Sequence, residues 1–297
     1  MIEYDKRDWA THLFDVKGSM VREIIGRVTV CVVWAVAVVG VHHLTRLDLA
    51  FSPTVHTLVG VAIGLLLVFR TNASYDRYWE GRRQWGSILN ESRNLARSTR
   101  VHILPRAPDL GEPILLWTAA FSHAVMNLLR GSEGFGPMGD RLPAAEVAAA
   151  GASPQVPLAI AVRISAHLVA ARDRGLISDI VLTSIDANVQ QLIDYTGACE
   201  RIKNTPLPFV YVVHLRRALI LYCFTLPFAL VDLYGWWTIL VALLTSYMFF
   251  GIEEIGVEIE NPFGHDVNDL PLERFCLTVE RDLQWVLGWA PGEHPDE

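Results

Sequence analysis

The densest group of side chains able to do chemistry directly follows a long apolar run: Glu253, Glu254, Glu258 and Glu260. Clustered carboxylates can hold a pair of metal ions, exchange protons or attract cations. A di-metal site in a helical protein uses Glu-x-x-His pairs on facing helices, and the helical segments contain none. Two readings stay open: a cation-attracting rim near a pore, made by Glu253, Glu254 and Glu258, or a solvated helix end. His42 and His43 are adjacent, and adjacent residues on a helix point apart; they read as interfacial polar residues rather than metal ligands. Cys31, Cys199, Cys223 and Cys276 are far apart, with no CxxC or zinc spacing, so free thiols are expected. No Walker loop or GxSxG motif occurs. The residues therefore predict no catalytic group, no bound metal or cofactor and no enzymatic activity.

The element that organises the chain is the stretch Ser52 to Trp85. Ser52 followed by Pro53 is a helix start: a capping hydroxyl, then a proline whose missing N–H is harmless at the first helical position. From Thr54 to Phe69, 16 residues, only His56 and two threonines are polar, a length of about 24 Å as helix. Tyr75, Tyr78, Trp79, Arg82, Trp85 and Leu89 continue at helical spacing. One long helix is expected to cross a membrane and run on into the cytosol. Val61, Leu65 and Phe69 fall at i, i+4 and i+8 and share one face, and Gly60 and Gly64 allow close helix contact nearby. The apolar stripe is either ordinary packing or, repeated in several subunits, a ring that gates ions by dewetting.

Composition points to a membrane. The chain of 297 residues is 52% hydrophobic and only 19% charged, against about 25% charged in soluble proteins, and nine Trp and eight Tyr are available for water–lipid boundaries. The net charge of −7 argues against nucleic acid as a partner. The N-terminus lacks the apolar core of a signal peptide. Residues 1–27 read as a cytosolic amphipathic segment with anchors at Trp9, Leu13, Phe14 and Ile24. The apolar run Val28–Val41 follows, then a short loop from His42 to Phe51. Arginines crowd residues 70–106, from Arg70 to Arg106, and recur with Arg201, Lys203, Arg216 and Arg217 before the next apolar region. The short connections His42–Phe51 and Asp232–Gly235 carry only Arg46 as a cation. The positive-inside rule then places both termini and the middle region in the cytoplasm, with both short loops outside.

Glu112–Leu129 could be a further span but is read as a buried helix of a cytosolic part. Gly131–Pro157 reads as a connection, Leu158–Arg174 as an amphipathic helix stopped at Gly175, and Ser178 as the cap of a helix Asp179–Lys203 ended by Thr205–Pro208. Arg216 or Arg217 would cost about 2.5–3.5 kcal/mol at a bilayer centre, so the third span is expected to start near Ala218. It pairs with Leu233–Ile252 as a hairpin, with Trp236 and Trp237 at the outer boundary. Leu272–Trp289 is a last amphipathic helix. The divisions are thus 1–27 cytosolic, 28–71 the first two transmembrane helices, 72–208 cytosolic and helical, 209–256 the third and fourth transmembrane helices, and 257–297 cytosolic.

Three stretches taken together, FRTNASYDRYWEGRRQWG at 69–86, CERIKNTPLP at 199–208 and ENPFGHDVNDLPLERF at 260–275, resemble the bestrophin family in its bacterial branch. The resemblance covers nearly the whole chain. It implies an all-α, multi-pass membrane protein: a homopentamer with one central pore, four transmembrane helices per subunit and a helical cytosolic domain, in the plasma or inner membrane. It further implies a channel for small monovalent ions, with sodium favoured as in bacterial members, and an anion (chloride) channel or a non-conducting membrane scaffold as alternatives. By the same resemblance Val61, Leu65 and Phe69 match the pore neck, and Ile180 the cytosolic aperture, with Ile177 and Val181 as neighbouring candidates. Vertebrate members hold calcium with an acidic run after the Asn-Pro-Phe-Gly motif. Here Asn261–Gly264 is followed by HDVNDLPLERF, so no calcium clasp is expected.

Overall fold

The computed structural model describes residues 20–45 and 52–288. Trp9, Leu13, Phe14, Arg46 and Trp289 lie outside them, as does most of the expected N-terminal segment. All regular structure among the described residues is helical: α1 (Val21–Thr45), α2 (Pro53–His102), α3 (Pro108–Arg130), α4 (Gly136–Gly139), α5 (Ala144–Gly151), α6 (Val156–Asp173), α7 (Asp179–Asn204), α8 (Phe209–Tyr234), α9 (Thr238–Glu258) and α10 (Leu272–Leu287). They divide into two compact units. One takes residues through Tyr78, Pro206–Asn261 and Asp266–Asp269; the other takes Trp79–Thr205, Pro262–His265 and the residues from Leu270.

The first unit contains α1, the first half of α2, α8 and α9. Among the described residues, three segments are long and apolar enough to cross a membrane: Val21–Thr45, Pro53–His102 and Phe209–Glu258. The last is broken by a 3-10 turn at Gly235–Trp237, where Gly235 adopts φ +51°, a backbone that favours glycine. The turn makes α8 and α9 an antiparallel pair. At this end His42 lies 3.4 Å from Asp232, and His43 stacks on Trp236 at 5.2 Å. The expected loop from His42 therefore starts later, because α1 runs on to Thr45 to make these contacts. At its other end α1 begins at Val21, ahead of the apolar run. The core joins Ile24, Val28 and Cys31 of α1 to Ile63 and Leu67 of α2, Leu215, Leu219 and Cys223 of α8, and Phe250 of α9.

The second unit is organised on α3, which is buried without a break from Ile114 to Ser122, with Trp117 and Phe121 fully enclosed. Helices α6 and α10 pack on it, and α7 packs on α6. The connection expected over 131–157 contains the two short helices α4 and α5. Helix starts follow local chemistry: the Ser178 hydroxyl accepts a hydrogen bond from the Val181 N–H at 3.3 Å, capping α7.

Candidate functional site

Helix α2 has two faces with opposite tasks. His56, Ile63, Leu67, Arg70 and Ser74 are buried against the subunit's own helices. Val61, Leu65 and Phe69 are 69%, 55% and 57% exposed. At 3.6 residues per turn the two sets are centred roughly 170° apart. The stripe is a strip of bulky apolar side chains that the described residues leave more than half exposed. On the packed side, Gly60 lets α8 come close: a Cβ there would lie 2.7 Å from the Tyr222 hydroxyl oxygen. The Tyr222 ring stacks on His56 with centroids 4.0 Å apart. Gly64 has open space around it.

In the second unit, the three candidate aperture residues separate by burial. Ile177 is buried in the turn before α7, Val181 is half-buried, and Ile180, in the first helical turn, is 83% exposed. The turn is fixed by Gly175 at φ +71° and by Arg106, whose Nη2 donates to the Leu176 carbonyl at 2.6 Å. The Ser178 cap then fixes the direction in which α7 leaves. Beside Ile180, Asp179 accepts from Arg172 Nη1 at 3.3 Å.

The carboxylates after the last apolar run differ in their surroundings. Glu253 and Glu254 are buried and held by arginines from three other helices. Arg27 Nη1 of α1 donates to Glu254 Oε2 at 2.8 Å and to Glu253 Oε2 at 3.4 Å. Arg216 Nε of α8 donates to Glu253 Oε1 at 2.9 Å. Arg70 of α2, fully buried, sits 3.7 Å from Glu253 and 3.6 Å from Glu260, an ionic contact without aligned hydrogen bonds. Glu260 also accepts from the Leu207 N–H at 3.0 Å. Glu258 is partly exposed and accepts from Asn268 Nδ2 at 3.3 Å. Buried carboxylates need such partners, since an unpaired buried charge is very costly. Arg216 lies inside α8, which begins at Phe209, and its partner is a carboxylate of the neighbouring helix. Arg70 follows Phe69 directly, so the Phe69 end of the apolar strip is anchored in this charge knot. The four cysteines are free and buried.

Residues 1–285 match the family described as Bacterial/Fungal Bestrophin protein. The chain belongs to this family. A protein of Nostoc sp. (strain PCC 7120) named as a voltage-dependent anion channel-forming protein is 38% identical over 289 residues, covering 96% of this chain and 94% of the relative. A protein of the same description in Escherichia coli K12 is 32% identical over 284 residues, covering 95% and 93%. The solved structure of a bacterial bestrophin homologue from Klebsiella pneumoniae is similar with a TM-score of 0.84 and 32% identity, covering 90% of this chain and all of that one. In this bestrophin the charge knot is the feature that sequence reasoning missed, although a signal for it was present. Arg216 stands 19 residues before Gly235 and Glu253 stands 18 after it. In an antiparallel helical hairpin those positions lie at the same height, so an arginine inside an apolar helix faces a carboxylate inside its neighbour.

Proposed function

We propose that this bestrophin is a membrane ion channel, in which copies of the chain surround one axial pore and Val61, Leu65 and Phe69 of each copy form stacked apolar rings as the neck. The observation that carries the reading is the exposure of these three side chains opposite the packed face of α2. A single subunit presents one strip and encloses no water, so conduction needs a closed ring of copies; the family resemblance makes that ring a homopentamer with four transmembrane helices per subunit. The rings make a narrow dry neck, and opening means widening or wetting it. Ile180, exposed and apolar at the start of α7, makes a second narrowing at the cytosolic mouth. Both termini face the cytoplasm of a bacterial inner membrane, in line with the arginine-rich flanks.

The permeant species are small monovalent ions. Cations, sodium first, are the leading reading, supported by the resemblance to the bacterial branch and by the net charge of −7. The pairing of Glu253 and Glu254 with arginines removes these carboxylates from that support. The relatives' description as anion channel-forming proteins favours the second reading, an anion channel. Reversal potentials in asymmetric NaCl discriminate: a shift toward the sodium equilibrium potential supports the first reading, and one toward the chloride potential overturns it. The mass of the detergent-purified particle should be five times 33.2 kDa; a monomeric mass contradicts the ring.

The channel is not gated by calcium. Calcium takes six to eight oxygen ligands, while the loop after Asn261–Gly264 uses the Asp269 carboxylate to accept from the Asp266 N–H at 2.8 Å. Micromolar free calcium should change neither the melting temperature nor the open probability; a rise in either contradicts this.

A further inference from the structure

A groove of 660 Å³ opens between α1 and α8 at the end of the bundle away from the Gly235 turn. Its mouth carries Glu23, Arg27 and Arg216, and its walls include Val30, Ile220 and Phe224. The two arginines are half-exposed, with side-chain exposures of 45% and 51%. Each spends only part of its guanidinium on the charge knot: Arg27 uses Nη1 and Arg216 uses Nε. Their remaining N–H donors have no protein partner among the described residues. The buried Glu253 and Glu254 therefore act as fixed posts that orient two arginine forks at the groove. An oriented guanidinium with spare donors is well matched to a phosphate. Glu23 lies four residues before Arg27, on the same helix face. It is exposed, and its carboxylate has no partner among the described residues. Paired cationic donors, one adjacent free carboxylate and apolar walls along the same cleft describe a zwitterionic head on an apolar tail.

We propose that this groove binds a phospholipid whose headgroup joins a phosphate to a protonated amine. The phosphate sits on Arg27 and Arg216, the ammonium on Glu23, and an acyl chain lies along Val30, Ile220 and Phe224. The inference rests on the membrane placement of α1 and α8 and not on conduction, so failure of either reading leaves the other standing.

The test is native mass spectrometry of the full-length protein in mild detergent, titrated with phosphatidylethanolamine or phosphatidylglycerol. Phosphatidylethanolamine should be retained about tenfold more tightly, the difference expected for one charge-assisted contact. Gly26→Leu fills the groove without touching its charges, since a Cβ at Gly26 meets no atom within 4 Å. That variant should keep the wild-type melting temperature and lose retention of both lipids about tenfold. Glu23→Gln should retain both lipids equally, losing only the preference. Equal retention of the two lipids by the wild type, or unchanged retention in Gly26→Leu, overturns the proposal.

Discussion

Two residues on α2, two positions apart, should answer mutation in opposite ways. Ile63 is buried in the core between α1, α8 and α9, and Ile63→Ala should lower stability by about 2–5 kcal/mol, as large-to-small changes in packed cores do. The readout is a fall in melting temperature. Leu65 contacts no packed core of its own subunit; Leu65→Ala should leave the melting temperature near wild type and raise unitary conductance. A large drop in melting temperature with unchanged current would return the stripe to ordinary packing. The spacing of Val61, Leu65 and Phe69 was legible in the sequence, but not which way that face points. Spacing defines a face, and burial alone decides what covers it. In the second unit, burial pushes the thiols of Cys199 and Cys276 up to about 12, helped at Cys199 by the nearby Glu80 and Glu200 carboxylates. The thiolate is the nucleophile, so neither cysteine should react with iodoacetamide at neutral pH until the protein is denatured. Rapid labelling of either in the folded state contradicts the buried placement.

At the scale of the helices, the charge knot ties α1, α2, α8 and α9 together. Glu253→Ala strips the shared carboxylate from Arg27, Arg70 and Arg216 at once. Arg70 is fully buried and among the described residues keeps only Glu260, at 3.6 Å, so the expected loss is about 3 kcal/mol, the low end for breaking a buried ion pair. Replacing Arg70 by Met in the same variant should recover part of the melting temperature. No loss in Glu253→Ala would mean that the knot is dispensable. A milder version of the same test is Gly60→Ala, which pushes Tyr222 off its stacking with His56 and should lower the melting temperature. Helix starts were readable because caps are local: Ser52–Pro53 and Ser178 each announce a helix within a few residues. The knot has no such local mark, because its partners are separated by up to 227 residues, and along the chain its carboxylates look like a rim or a solvated end. The partner of Arg216 was hidden for the same reason: a transfer cost is reckoned for an unpaired arginine, and pairing is a tertiary fact. Arg70 carried no local signal of burial, being the first of a series of arginines that reads as a cytosolic flank.

At the scale of the whole molecule, the family was legible from long motifs, and the all-helical character from apolar runs without strand punctuation. The number of copies was not. Copy number depends on the angle between neighbouring subunits, which leaves no periodic trace along one chain. The same limit applies to the sign of the ion: apolar rings exclude water without regard to charge, and two of the carboxylates that pointed to cations, Glu253 and Glu254, are paired with arginines of their own chain. What the fold does present is a strip of three exposed apolar side chains anchored at its Phe69 end by a buried arginine, an arrangement that gains a purpose when copies face one another around water. Unitary currents of the purified protein in planar bilayers, wild type beside Phe69→Ala, test this most directly. The account predicts discrete channel openings for both, larger in the variant. Electrically tight bilayers, or equal currents from the two proteins, would contradict it.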